Sequence, residues 1–174
     1  MWHAVRVMIK LYRRDADGVL HYHESWTDSE ENLVVEHWGR VGERGESVQF
    51  EIPEGVSEDE AVEDMLAQAR KDGFAELSRR DHRLIEVQYD LEDSWGTMDD
   101  LAVRNKVDAL LNEELGWHGL GEWAGSSMGS GQMEIAYVVV DADEAIRVVT
   151  SALQASDLPM YSRINVQADE PDTD

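Results

Sequence analysis

The chain has no cysteine among its 174 residues. That excludes disulfides, zinc–thiolate sites and thiol catalysis. No apolar run approaches the ~20 residues that a membrane-spanning helix needs. No secretory leader is expected from the first residues either. The N-terminal "MWHAVRVMIKLYRR" has no cationic start followed by an apolar block, and it alternates as a strand does. Positive charge is scarce, with 15 Lys+Arg against 38 Asp+Glu and a formal net charge of −23. These absences lead to the expectation of a cytoplasmic fold that uses no metal or cofactor and meets no membrane.

The charge is unevenly spread. Residues 1–83 hold 11 basic and 19 acidic residues, and 84–174 hold 4 and 19, so the halves carry −8 and −15. A field of that sign repels phosphate backbones and attracts basic partners. Apolar residues make up 42% of the chain, a globular proportion, and the length suffices to bury a core.

The first half reads as four strands and a helix. Val5, Val7, Ile9 and Leu11 alternate with more polar residues. "DADG" is a turn, "VLHYHESW" and "NLVVEHW" are strands, and "SVQFEI" is a fourth. Between the last two, Gly39, Gly42 and Gly45 recur at every third position and predict a tight loop. Ser57 and Glu60 form a capping box for a helix with Val62, Met65, Leu66 and Ala69 on one stripe. Gly73 and Phe74 mark its end. The polar "LSRRDHR" (Leu77 to Arg83) closes a domain spanning 1–83.

The second domain, 84–167, has another rhythm. "LIEVQYDL" is a strand, and Thr97 caps a helix with Val103, Val107, Leu110, Leu111 and Leu115, ended by Gly116. "WHGLGEWAG" reads as a strand or irregular hairpin arm, and "MEIAYVVV" as a buried strand. Asp141 and Glu144 form a capping box for a last helix, and "LPMYSRINV" follows as a strand. The fold class is therefore α+β: an antiparallel sheet with one helix, then a β-α-β-β-α-β ferredoxin-like domain. Residues 168–174 read as a disordered acidic tail.

Trp38-Gly39-Arg40 is followed by Gly42 and Gly45, then by a strand with Phe50, the capped helix and Gly73-Phe74. Over about residues 5–77 this resembles the WGR domain family, known from DNA-dependent poly(ADP-ribose) polymerases and many small bacterial proteins. The resemblance implies a sheet with one helix. It also implies contact with DNA ends or neighbouring domains through Trp38 and Arg40. An indole can stack on an unpaired base, and a guanidinium fork suits phosphate or carboxylate. The residues alone equally allow a Trp38 that packs on the helix, a Gly39 that relieves crowding and an Arg40 paired with a carboxylate.

Other motifs were weighed by context. Gly125-Ser126-Ser127-Met128-Gly129 matches the nucleophile-elbow pattern, but a strand follows it and the last histidine, His118, precedes it, so no hydrolase is expected. "GWHGLGEWAGSSMGSG" lacks the Gly-Lys-Ser/Thr ending of a phosphate loop. It reads as a mobile recognition loop over 119–131, with Trp123 as an anchor and Trp117 pinned to the core. His21 and His23 share a strand face, with His3 and His37 on possible neighbours, but no carboxylate ligand accompanies them. Asp99, Asp100, Asp141 and Glu144 complement helix dipoles.

The functional expectation is a non-enzymatic binding protein for a basic protein partner, of the regulatory, inhibitor or immunity-protein type. DNA-end binding through Trp38 and Arg40 is the alternative. The residues expected to make contact are Trp38, Gly39, Arg40, Arg44, Trp117 and Trp123. The oligomeric state is left open.

Overall fold

The computed structural model describes residues 7–167, with eight strands, three α-helices and one 3₁₀ turn among them. The expectations for Val5, His3 and residues 168–174 lie outside that range. The fold is α+β, with two four-stranded antiparallel sheets. Two compact units meet at Leu77 and Ser78, six residues before the expected boundary. The Asp81 carboxylate accepts from the Ser78 backbone and hydroxyl, closing a 3₁₀ turn at Arg79–Asp81 that leads into the strand at Arg83.

In the first unit the strands run in the order β1 (Met8–Arg14), β2 (Leu20–Asp28), β3 (Leu33–Arg40) and β4 (Glu46–Glu51). Helix α1 (Glu58–Lys71) covers one face. Strand alternation sends Leu11 and Val34 to that face, where they bury against Ala61, Val62, Leu66 and Ala69. The helix starts where its sequence dictates. The Ser57 hydroxyl accepts from the Glu60 N–H, and the Glu60 carboxylate accepts from the Ser57 N–H. These bonds hold the Glu60 carboxyl below the usual carboxylate range. The helix stops at Gly73, whose φ of 90° lies in the left-handed region, and the Phe74 N–H returns to the Ala69 carbonyl at 3.0 Å. On the other face of the sheet Tyr22, Glu24, Trp26 and His37 are also buried.

The second unit is β5 (Arg83–Asp90), α2 (Met98–Trp117), β6 (Gly121–Gly129), β7 (Gln132–Val139), α3 (Ala142–Gln154) and β8 (Arg163–Gln167). Its strand order is β6-β7-β5-β8, antiparallel throughout. Helix α2 packs on β6 and β7, α3 packs on β5, and the helices pack on each other. Ile85, Val87 and Tyr89 pair across the ladder with Tyr137, Ile135 and Met133, and all six are buried. Val107, Leu111 and Leu115 of α2 and Val148, Val149 and Leu153 of α3 are buried too.

Three details differ from expectation. Helix α2 runs through Gly116 to Trp117, because the helical backbone there needs no left-handed residue until Gly119, at φ 62°. Asp141 accepts from the Glu144 N–H, but the Glu144 carboxylate pairs with Arg147 at 2.7 Å instead of returning to the cap. The last strand begins only at Arg163, since Pro159 precedes it and its carbonyl accepts from the Tyr89 hydroxyl.

Burial raises the phenols of Tyr22, Tyr89 and Tyr137, with Tyr89 pushed up to about 12. Below the ordinary value of about 10 both folded and unfolded chains carry neutral phenols, so no stability is lost. Above it the unfolded chain ionises first, and stability falls as pH rises towards the folded values. Denaturant midpoints should therefore drop steeply above about pH 10. Phenolate absorbance should account for fewer than the five tyrosines until the fold is lost. Full ionisation of five phenols in a folded chain would contradict the burial.

Candidate functional site

The corner between β3 and β4 is built by three glycines. A Cβ on Gly39 would lie 2.9 Å from both the Gly45 Cα and the Tyr22 hydroxyl oxygen. A Cβ on Gly45 would collide with the Trp38 carbonyl and the same hydroxyl. Gly42 has a φ of 89°, so its backbone favours glycine as well. The Glu43 N–H donates to the Arg40 carbonyl at 3.0 Å and tightens the turn.

A chain of buried polar groups runs beneath this corner. Lys10 Nζ lies 3.6 Å from one oxygen of Glu24, and the other oxygen meets His37 Nδ1 at 2.8 Å. The carboxylate requires a hydrogen on Nδ1. His37 Nε2 is 3.0 Å from the Tyr22 hydroxyl, which accepts from the Gly45 N–H at 2.8 Å. The hydroxyl hydrogen has two acceptors in reach, Nε2 and the Glu43 carbonyl at 3.3 Å. Glu24, His37 and Tyr22 are essentially inaccessible, so this chain is what makes their burial tolerable.

On the helix-side face of the sheet, Trp38 is half-buried beside His23, with ring centroids 5.9 Å apart and planes at 31°. His23 meets Phe74 edge-on at 5.6 Å and Glu36 at 2.6 Å. The Arg13 guanidinium sits 4.7 Å over the Phe74 ring and donates to the Asp72 carbonyl. Trp38 is thus joined through His23 to Phe74, just beyond the end of α1, and keeps part of its surface exposed. Arg40 is exposed and lies 3.5 Å from Glu43. Arg44 is exposed on the turn, and Glu46 stands opposite Trp38 in the ladder. Trp38, Gly39, Arg40 and Arg44 therefore share one corner, where arginines and carboxylates alternate.

Trp117 and Trp123 belong to the second unit. Trp117 ends α2 and is half-buried. Trp123 lies in β6 and is exposed, with its backbone N–H held by Asn112 Oδ1 at 2.9 Å. The expected mobile loop over 119–131 is corrected by this arrangement. Residues Gly121–Gly129 form a strand paired with β7, broken only by a bulge between Trp123 and Gly125. The connection is the two-residue turn Ser130-Gly131, with φ of 54° and 78°, the geometry that suits a twisted hairpin. The expected strand or hairpin arm in "WHGLGEWAG" meets the first half of β6; most side chains of the strand are exposed, so no apolar alternation carried the reading to its end.

One exposed cluster was missed in the sequence. Trp95 is 82% exposed and Met98 78% exposed, between β5 and the first turn of α2. Glu92, Asp93 and Asp99 are exposed around them, and Asp100 is half-buried. The backbone beneath Trp95 is held, because its N–H and that of Gly96 bond to Asp93. The Gly131 N–H also donates to the Ser94 carbonyl, and the Leu91 N–H to the Gly131 carbonyl. Thr97 hydrogen bonds hold the Asp100 carboxyl low, so it stays ionised. A tryptophan in the turn-rich "EDSWGT" was the available signal.

The histidines are dispersed. His21 meets Asp15 at 3.0 Å, a bond that lowers the Asp15 carboxyl, while His37 lies on the opposite sheet face. Among the described residues no group of three or more His, Asp or Glu is placed to hold a metal. No helix among them is long and apolar enough to cross a membrane. Ser127 lies within β6 and donates to Glu134 at 3.0 Å, away from any strand-to-helix turn. Comparisons with protein-family models, curated proteins and solved structures find no match.

Tyr22→Phe should lower unfolding free energy by about 1–3 kcal/mol, because it removes the oxygen that the Gly45 amide donates to. Hydrogen exchange at the Gly45 amide should quicken in the same variant. Unchanged exchange there would separate the corner from the buried chain. Gly45→Ala should cost about 1–3 kcal/mol through forced backbone movement. Gly116→Ala, whose Cβ would meet nothing within 4 Å, should be neutral or stabilise by up to about 1 kcal/mol. Chemical denaturation of the two variants checks the contrast.

Proposed function

We propose that this chain is a non-enzymatic acidic binding module whose partner is a basic protein, of the regulatory, inhibitor or immunity-protein type. One observation carries the reading: Trp95 and Met98 stand almost fully exposed on a held backbone among Glu92, Asp93, Asp99 and Asp100. Exposed aromatic and methionine side chains are uncommon unless something covers them. A held backbone lowers the ordering cost of binding, and the carboxylates favour a cationic rim on the partner. The net charge of −23 would steer such a partner from a distance.

The proposal extends to architecture. The strand order β6-β7-β5-β8 with two helices between strands supports a ferredoxin-like reading of the second unit. The sheet with one helix, and the three crowded or left-handed glycines, support a WGR-like reading of the first. A cytoplasmic setting goes with both.

Nucleic-acid binding through Trp38 is the second reading. It is favoured by one observation, a half-exposed indole beside the exposed Arg40 and Arg44. The pairing of Arg40 with Glu43 and the flanking Glu46 weigh against it.

A photoreactive side chain at Ser94, used in cells of the source organism, tests the two. The reading expects capture of a basic protein. Trp95→Ser should weaken binding of that protein by at least about 2 kcal/mol, as loss of a central anchor does. Asp93→Lys with Asp99→Lys should slow association and flatten its salt dependence. A gel shift with nicked or blunt DNA that Trp38→Ala abolishes, without any protein captured at Ser94, would overturn the protein reading in favour of the second.

A further inference from the structure

Strand β4 is the last strand of its sheet, and all six of its residues are exposed. Its hydrogen-bonding direction follows from its neighbour. The Ile52 N–H donates to the Asn32 carbonyl, and antiparallel pairing alternates, so the N–H groups of Phe50, Val48 and Glu46 turn towards β3. The backbone groups of Ser47, Gln49 and Glu51 turn outward along the edge. The β2–β3 ladder agrees: the Val41 N–H donates to Leu20, which leaves Val34, Glu36 and Trp38 to bond β4.

The side chains along this edge follow a pattern. On the helix-side face, Val48 is 38% exposed and Phe50 is 51% exposed, with Glu46 beside them. Natural edges are usually blunted by lysine, proline, a bulge or a covering element. Within β4 itself there is no lysine, proline or bulge, and its only charges are Glu46 and Glu51, one at each end.

We propose that β4 is a docking edge that takes an extended, basic segment of the partner as a fifth strand. This rests on the reading of the chain as a module for a basic protein. Backbone bonds from Ser47, Gln49 and Glu51 supply the ladder. Cross-strand pairing sets the sequence preference: apolar or β-branched residues opposite Val48 and Phe50, and lysine or arginine opposite Glu46 and Glu51. The charge decides between this occupant and a second copy. Two chains of net charge −23 repel each other, whereas a cationic strand is attracted.

The test is amide NMR of the full chain titrated with an acetylated peptide of the pattern Lys-Val-Thr-Phe-Thr-Lys. The expected result is shifts confined to β4 and its neighbours, with slowed hydrogen exchange at Ser47, Gln49 and Glu51. Gln49→Pro removes an outward donor while leaving the β3 ladder intact, and should weaken the peptide by at least about tenfold. Denaturation of this variant checks that it is folded. A second variant, Glu46→Lys with Glu51→Lys, should lose this peptide and gain its Glu-Val-Thr-Phe-Thr-Glu counterpart. Absence of β4 shifts at saturating peptide, an unmoved charge preference, or concentration-dependent β4 shifts without peptide would each overturn the proposal. If the edge fails while Trp95-dependent capture persists, the binding-module reading stands alone. If the edge binds and Ser94 captures nothing, that reading fails by itself.

Discussion

The hydrogen-bonded chain from Glu24 through His37 and Tyr22 to the Gly45 amide, with Lys10 ion-paired to Glu24 at its head, is the constraint on which the first unit depends. A carboxyl group and an imidazole buried together are costly unless each finds a partner. Here one Glu24 oxygen is hydrogen-bonded to His37, the other has only the Lys10 ion pair, and the last link of the chain is backbone. That bond fixes where the chain turns after β3. Gly39 and Gly45 follow from it, since the Tyr22 hydroxyl occupies the space their side chains would need. β4 begins one residue after Gly45, so the same bond sets the start of the exposed edge.

The proposed binding role draws on surfaces other than that buried chain. The polar groups there are paired with one another and serve the corner's shape. What the surface offers is different in kind: apolar side chains rimmed by carboxylates. Trp95 and Met98 form one such group, and Val48 with Phe50 form another, on separate units. Both sit on backbone held by hydrogen bonds, the former through Asp93 and Gly131 and the latter through the β3 ladder. Held apolar anchors among like charges are what the proposed recognition of a cationic surface rests on.

Periodic segments were legible in the sequence, and aperiodic ones were not. Ser57 with Glu60, and Thr97 by itself, located two helix starts, because capping is a local interaction within four residues. The alternation of Ile85, Val87 and Tyr89 located β5 for the same reason. β6 read as a strand or hairpin arm only within "WHGLGEWAG" and otherwise as a mobile loop, because it is glycine-rich and exposed and burial imprinted no alternation on it. Trp95 was passed over because its one signal, a place in the turn-rich "EDSWGT", does not by itself show how exposed the ring is. The cluster at Trp38, Arg40 and Arg44 was found by its motif, but the pairing of Arg40 with Glu43 depended on how the turn closes.

The sequence alone determined the α+β class, the helix caps, the glycine corner and the acidic charge, since each is a property of composition or of residues close along the chain. The tertiary structure decided which side chains face solvent and which face each other. Burial of Glu24 against His37 joins residues thirteen apart through strand register. The exposure of β4 follows from its place last in the sheet. Both are long-range outcomes, set by pairing between strands and by nothing readable within any one of them.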